Sequence, residues 1–216
     1  MITAEYLWRM EQVLDIYERP YDSQFPVVCF DERPCQLLGN VLMPIPMRPG
    51  RVQCQDYHYK RNGTCVVLMA VEPRVGRRVV KVTEQKTKKD YARFMKALAA
   101  SYPKAEKIIL VQDNLNTHNP SSFYEAFPAE EAFALAQRFE MVYTPKKASW
   151  LNMAEIELSA LSKQCLDRRI AEMSALSSQV MSWTKRRNHL KVAINWNFTK
   201  NDARNKFNRF YNTITN

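Results

Sequence analysis

The chain has 216 residues, 46% hydrophobic and 25% charged, which allows one sizeable core and excludes a wholly disordered chain. Its five cysteines show no Cys-x-x-Cys spacing, so a disulfide framework and a structural zinc site are both disfavoured and reduced thiols are expected. The sequence shows neither a run of about 18 apolar residues nor a signal-peptide pattern, and we therefore expect a cytoplasmic protein without membrane contact.

Charge gives the first indication of a partner. The 32 Lys and Arg residues against 22 Asp and Glu residues give a net charge of +10. Residues 165–216 contribute ten basic and three acidic side chains, a net charge of +7. Such a surface suits a polyanion, and nucleic acid is the densest one available because its phosphates bind basic groups with release of counterions. Charge alone also permits a soluble, basic helical bundle.

The first quarter of the chain predicts a helix followed by a strand. Residues 1–20 place Leu7, Met10, Leu14 and Tyr17 at helical spacing before Pro20. This helix is too short for a domain, so we assign residues 1–24 to an N-terminal helix or remnant linker. The apolar run at residues 27–30 predicts a buried strand that ends at Asp31.

Hairpin signals follow. Two segments of strand character follow one another, residues 57–64 and 65–71. Asn62-Gly63 lies near their junction, and this dipeptide predicts a tight turn between antiparallel strands. A further strand, residues 78–82, follows a turn at Gly76. Thr87 is placed to cap a helix that ends near Pro103.

In the second half of the chain, predicted strands alternate with predicted helices, and the last part is predicted to be helical. A short apolar run at residues 107–112 predicts a buried strand that ends at Asp113. Beyond it the pattern predicts the following series: a helix at 128–139, a strand at 141–143, a loop at 144–150, and helices at 152–168, at 175–190 and after Thr199. The fold class is therefore α/β, a mixed sheet flanked by helices with a basic helical C-terminal segment.

Three acidic residues stand out by position. Asp31 and Asp113 follow predicted strands, and Glu155 lies at the start of a predicted helix. Strand ends at the edge of an open sheet commonly form binding sites. Carboxylate oxygens suit Mg²⁺ or Mn²⁺, and phosphoryl transfer by two ions about 3.5–4 Å apart requires such a set. An acidic residue that merely caps a strand end is the alternative.

Four sequence blocks sharpen this hypothesis, and they lie at Cys29–Glu32, Val111–His118, Tyr143–Glu157 and Ile194–Arg204. In content and order they closely resemble the DDE-type transposases of the mariner-like superfamily, in their bacterial insertion-sequence branch. The resemblance covers residues 27–211, nearly all of the chain.

This resemblance implies a ribonuclease-H-like catalytic domain, residues 25–216, with a mixed five-stranded sheet. It implies that Asp31, Asp113 and Glu155 are the catalytic residues and the ligands of two Mg²⁺ ions, for which Mn²⁺ can substitute. The implied activity is cleavage of double-stranded DNA at transposon ends followed by strand transfer, by a homodimer on DNA. Two alternatives stay open, a nuclease of the same fold that does not join strands and a DNA-binding protein without turnover.

Glu157 is the rival third carboxylate. It lies about 200° around a helix from Glu155, so the two side chains cannot both face one metal pair, and we favour Glu155. His118 lies five residues after Asp113 and receives no catalytic role.

Basic residues near these motifs are candidate DNA ligands. Lys146 and Lys147 precede Glu155 in the predicted loop, whereas Lys185, Arg186 and Arg187 lie on the predicted helix at 175–190. Phosphate contacts of this kind position DNA without reading its sequence.

The sequence departs from the family upstream. Full-length relatives carry paired helix-turn-helix modules before the catalytic domain, whereas only about 20 residues precede the first strand here. We therefore expect a catalytic half, a separate second reading frame or a decayed copy, with a separate chain as the candidate source of end recognition.

Overall fold

The computed structural model describes residues 2–215, with side chains described for residues 2–213. It contains a five-stranded sheet in the order β3-β2-β1-β4-β5, built from β1 (Val27–Asn40), β2 (Tyr59–Glu72), β3 (Arg77–Thr83), β4 (Ile108–Gln112) and β5 (Phe139–Tyr143). The first three strands are antiparallel, whereas β4 runs parallel to both β1 and β5. The prediction of a mixed five-stranded sheet is therefore confirmed.

Helices cover both faces of the sheet. They are α1 (Ala4–Glu18), α2 (Lys88–Ala100), α3 (Ser121–Tyr124), α4 (Ala129–Gln137), α5 (Met153–Gln164), α6 (Met173–His189), α7 (Lys200–Lys206) and α8 (Asn208–Thr215). Because side chains alternate along a strand, Val28 and Phe30 of β1 pack with α2, whereas Cys29 packs with α1 and the start of α5. Helix α6 packs against the edge strand β3.

Helix α1 shares a core with the sheet. Met10, Val13 and Leu14 are fully buried and lie in one hydrophobic cluster with Ile109 and Val111 of β4. The proposed division between residues 1–24 and a domain at 25–216 stays a prediction, but the structure shows that the two segments are joined by buried apolar contacts.

The predicted hairpin at Asn62-Gly63 is wrong. Strand β2 runs straight through this dipeptide, and the register against β1 shifts there from Leu37 opposite Gly63 to Leu38 opposite Arg61. Asn62 is thus the extra residue of a β-bulge, and Gly63 takes the φ of 117° that a side chain would disfavour. The Asn62 amide donates a 3.1 Å hydrogen bond to the carbonyl oxygen of Ala171, which stabilises the bulge from outside the sheet.

Asp31 does not end its strand, contrary to the prediction. Strand β1 continues to Asn40 because β2 pairs with it from Cys29 to Asn40. Only the parallel partner β4 stops early, and its last pair joins Cys29 to Val111. Asp31 therefore lies in mid-strand, at the point where one edge of β1 becomes free.

The predicted helix caps are confirmed, and the helical C-terminal segment needs one correction. Thr87 and Thr199 each form a reciprocal capping box, with Asp90 and Asp202 respectively. Between α6 and α7 the chain is not helical, because Ile194 bonds through its N–H to the carbonyl oxygen of Pro73 at 2.8 Å. Helix α3, too short to show a periodic pattern, was not predicted. No helix among the described residues is long and apolar enough to cross a membrane.

Candidate active site

Strand register brings the first two candidate carboxylates together. Cys29 pairs with Val111 in the parallel β1–β4 ladder. Each strand continues in the same direction, so Asp31 and Asp113 both lie two residues beyond this last pair. Neighbouring strands are about 4.8 Å apart. The sheet itself therefore places these two aspartates side by side, which their separation in sequence does not reveal.

Asn152 brings the third carboxylate to the same place. As the N-cap of α5, its side-chain oxygen accepts a 3.1 Å bond from the N–H of Ala154. Its amide donates to the carbonyl oxygen of Phe30 at 2.8 Å and lies 3.4 Å from Asp31 Oδ2. The cap thus fastens the start of α5 to β1, and Glu155 projects from the first helical turn with its side chain exposed.

The pKa of Asp31 shows the effect of the neighbouring carboxylates. Burial, followed by the negative charges of Glu155, Glu32 and Asp113, raises the pKa of Asp31 from 3.8 to about 7, although the N–H of Glu32 works in the opposite direction. A cation between the carboxylates would remove the repulsion, and hard oxygen donors are the ligands that Mg²⁺ and Mn²⁺ prefer. The donor set therefore fits a divalent metal.

The arrangement is open rather than preassembled. Among residues 2–215, no three His, Cys, Asp or Glu side chains lie close enough together to hold a metal as they stand. Asp113 is 43% exposed, and its Oδ1 contacts Nδ1 of His118. Negative charges on neighbouring carboxylates repel one another, which opposes a closer approach of the three side chains.

His118 links Asp113 to a second acidic residue. Its Nε2 lies 3.0 Å from Oε2 of Glu32, and the ring is only 3% exposed and stacked on Tyr91. Burial works against protonation, but hydrogen bonds to Asp113 and Glu32 outweigh it and raise the pKa of His118 to about 9. The side chain is an imidazolium at neutral pH. Sequence reasoning gave no role to His118 and missed Glu32, although the Asp31-Glu32 doublet and the histidine after Asp113 were visible signals.

Glu157, the rival third carboxylate, does not join Asp31 and Asp113. It is fully buried and accepts hydrogen bonds from Arg78 Nε at 2.6 Å and from Arg187 Nε at 2.5 Å. Both of those bonds go to Oε1, and Oε2 accepts from Nη2 of Arg78 at 3.0 Å and from Nη2 of Arg187 at 3.1 Å. The Arg187 side chain is 15% exposed and pairs with Glu157, and its role as a DNA ligand stays a prediction.

The other predicted DNA ligands divide into two groups. Lys146 and Lys147 are exposed and, together with Asp113, line a cavity of about 260 Å³. Lys147 adopts a φ of 63°, which turns the loop sharply beside the carboxylates. Lys185 and Arg186 are exposed on α6, which packs on β3. The structure therefore brings the two lysines to the site and leaves Lys185 and Arg186 at the far edge of the sheet.

A mixed sheet with one carboxylate on its first strand, a second directly after its fourth strand and a third on the helix that follows its fifth strand has the architecture of a ribonuclease-H-like domain. The chain belongs to the DDE superfamily endonuclease family, whose model matches residues 26–177. No curated protein matches the chain.

Solved structures of one transposase share this fold. The Mos1 transposase paired-end complex with left transposon end is 13% identical, with a TM-score of 0.56 over 89% of this chain and 60% of that chain. The Mos1 mariner paired end complex with Mn is 14% identical, with a TM-score of 0.55 over 89% and 59% respectively. The corresponding complex with Mg is 13% identical, with a TM-score of 0.54 over 88% and 60%. The chain thus spans about three fifths of the length of these relatives.

Proposed function

We propose that this chain is the catalytic part of a DNA transposase of the bacterial insertion-sequence branch, which cuts DNA at transposon ends and joins the freed strand to a target. The observation that carries the proposal is the register that sets Asp31 and Asp113 side by side beyond the last β1–β4 pair, with Glu155 near enough for its charge to act on Asp31, in a chain of the DDE endonuclease family. The Mos1 structures with Mn and with Mg support the use of a divalent metal.

Each residue has a separate task in this proposal. Asp31, Asp113 and Glu155 would hold two Mg²⁺ or Mn²⁺ ions, which would supply positive charge for the displacement at phosphorus. Lys146 and Lys147 hold phosphates of the strand beside Asp113. His118 and Glu32 fix the position of Asp113, because the imidazolium contacts both carboxylates. Lys185 and Arg186 contact a more distant part of the DNA.

Nicking of supercoiled plasmid tests the proposal. We expect the wild-type protein with Mn²⁺ or Mg²⁺ to nick the plasmid and Asp113→Asn to lose nicking by at least about a hundredfold. The variant removes one metal-binding charge at nearly constant volume, so its fold and its affinity for DNA should be retained. Substantial metal-dependent nicking by Asp113→Asn would overturn the assignment.

Product analysis separates the alternatives. A transposase joins the freed 3′ end to a second duplex and gives a branched or longer product, whereas a nuclease of the same fold gives only shortened strands. A binding protein without turnover would retain salt-dependent affinity for DNA and leave it intact whether or not metal is added.

The proposal extends to partners. The paired-end complexes of Mos1 contain transposon-end DNA, and we propose that this chain also acts on double-stranded DNA as a homodimer. A separate helix-turn-helix chain is the proposed source of end recognition, and the bacterial cytoplasm is the proposed location.

A further inference from the structure

A small polar cavity lies along β1 beyond the candidate active site. It has a volume of about 140 Å³ and is bounded by β1 on one side and by the segment after α5 on the other. This volume is several times the roughly 30 Å³ that one water molecule occupies in the liquid. Arg33, Gln36 and Arg168 line it, together with apolar side chains, and no acidic residue does.

The free edge of β1 faces this cavity. Strand β4 pairs with β1 only up to Cys29, so no strand of the described residues pairs with this edge beyond Phe30. The N–H of Leu38 points out of that edge, because it bonds to the carbonyl oxygen of Ile170 at 2.9 Å. N–H groups alternate along a strand, so the N–H of Gln36 points the same way, whereas Pro34 has none to offer.

Neither Arg33 nor Arg168 forms an ion pair with a carboxylate of the described residues. Within residues 2–215, the arginines that form an ion pair with Asp or Glu are Arg9, Arg19, Arg78, Arg187 and Arg204. Arg168 donates from Nε to the carbonyl oxygen of Cys165 at 3.2 Å, which leaves the rest of its planar fork for another acceptor. Burial raises the pKa of the neighbouring Cys35 thiol to about 11, so this thiol does not neutralise Arg33.

The cavity and Asp31 lie along the same face of β1. Asp31, Arg33 and Cys35 share one face of β1 because side chains alternate, and Arg33 lies about 7 Å along the strand from Asp31. Helix α5 runs beside this face from Glu155 towards Arg168. A strand of DNA that has one phosphate at Asp31 and follows β1 therefore passes over the two arginines.

We propose that this cavity binds a backbone phosphate of the DNA strand adjacent to the phosphate that reacts, with Arg33 and Arg168 as its cationic ligands and the Gln36 N–H as a third donor. The proposal rests on the proposed function and adds a site to it. Lys146 and Lys147 hold the strand on one side of the reacting phosphate, and this cavity holds it on the other. The site fixes the register of the strand without reading bases.

Salt-dependent binding tests the proposal. Fluorescence anisotropy with a labelled DNA duplex is measured without divalent metal, in an Asp113→Asn background that cannot cut. Arg33→Gln and Arg168→Gln should each weaken binding and lower the slope of log K against log salt. The double variant should lower this slope by about 0.9, the value for one phosphate, because both arginines act on the same phosphate. Arg33→Lys should retain most of the slope.

The matched control is Arg93→Gln, which removes the same charge from an exposed position on α2, on the opposite face of the sheet. Its slope should equal that of the parent protein. An equal loss of slope in the control, or no loss in the double variant, would overturn the proposed phosphate site. If the parent protein does not bind DNA at all, the proposed function fails as well, and this outcome is distinct from the other two.

Discussion

Asp31 lies in surroundings that disfavour its negative charge. Its pKa in the folded protein is about 7, above the usual 3.8, so the folded state retains a proton that the unfolded state has lost. The resulting penalty is absent below pH 3.8, grows as the pH rises and is complete above pH 7. Asp31→Asn should therefore raise the free energy of unfolding at pH 8 by about 1–3 kcal/mol in EDTA.

Urea denaturation at pH 4 and at pH 8 measures this difference. The gain should disappear at pH 4, and added Mg²⁺ should stabilise the wild type but not the variant. A gain that is the same at both pH values would show that the charge of Asp31 is not its cause.

His118 has the opposite pH dependence. Its pKa is raised from 6.5 to about 9, so its contribution to stability is complete below pH 6.5 and is lost as the pH rises through 9. His118→Gln should lower the free energy of unfolding at pH 6 by about 1–3 kcal/mol, since it removes a buried charged hydrogen-bond donor. Its deficit relative to wild type should shrink by pH 10, and a deficit unchanged across this range would contradict the imidazolium assignment.

Some residues of the candidate site could be predicted from the sequence, and others could not. The motif blocks were sufficient to select Asp31, Asp113 and Glu155 as candidates. Glu32 was missed because an acidic residue next to Asp31 in sequence points to the opposite face of the strand, and only the tertiary fold shows that His118 meets it there. The ion pair of Arg187 with Glu157 could not be predicted for the same reason, since Glu157 lies on another helix.

At the scale of elements, the helices were predicted more accurately than the strand boundaries. Capping boxes at Thr87 and Thr199 are local and were readable. Asn62-Gly63 was misassigned because a tight turn and a bulge use the same backbone freedom of glycine, and the difference depends on the strand opposite. The length of β1 was underestimated because its pairing beyond Asp31 depends on β2.

Two glutamates of helix α5 that lie two residues apart have different surroundings and, under the proposed function, separate roles. Glu155 is exposed, whereas Glu157 is fully buried between Arg78 and Arg187. Glu157→Gln should therefore lower the free energy of unfolding by about 3–5 kcal/mol, because it leaves buried arginine charge unpaired. Glu155→Gln should abolish cleavage and cost almost no stability. Denaturation curves with a parallel nicking assay test both, and equal destabilisation by the two variants would refute the separation.

At the scale of the molecule, the short helix α1 contributes more to the stability of the fold than its length suggests. Met10, Val13 and Leu14 of α1 are fully buried against β4 and the start of α5. Residues 25–216 alone would expose this apolar surface to water at about 25 cal/mol per Å². We expect that truncated chain to aggregate or to melt well below the full chain, and an equal melting temperature by circular dichroism would establish residues 1–24 as a dispensable linker.

Metal binding is the most direct test of the whole account. Mn²⁺ is titrated into metal-free protein while free ion is followed by electron paramagnetic resonance, with Glu130→Gln as a control for the loss of an exposed carboxylate on α4. The account predicts that the wild type and the control bind Mn²⁺ alike, and that Asp113→Asn and Glu155→Gln weaken binding by at least about tenfold. Wild-type affinity in Glu155→Gln would contradict the assignment of the three carboxylates to one metal site.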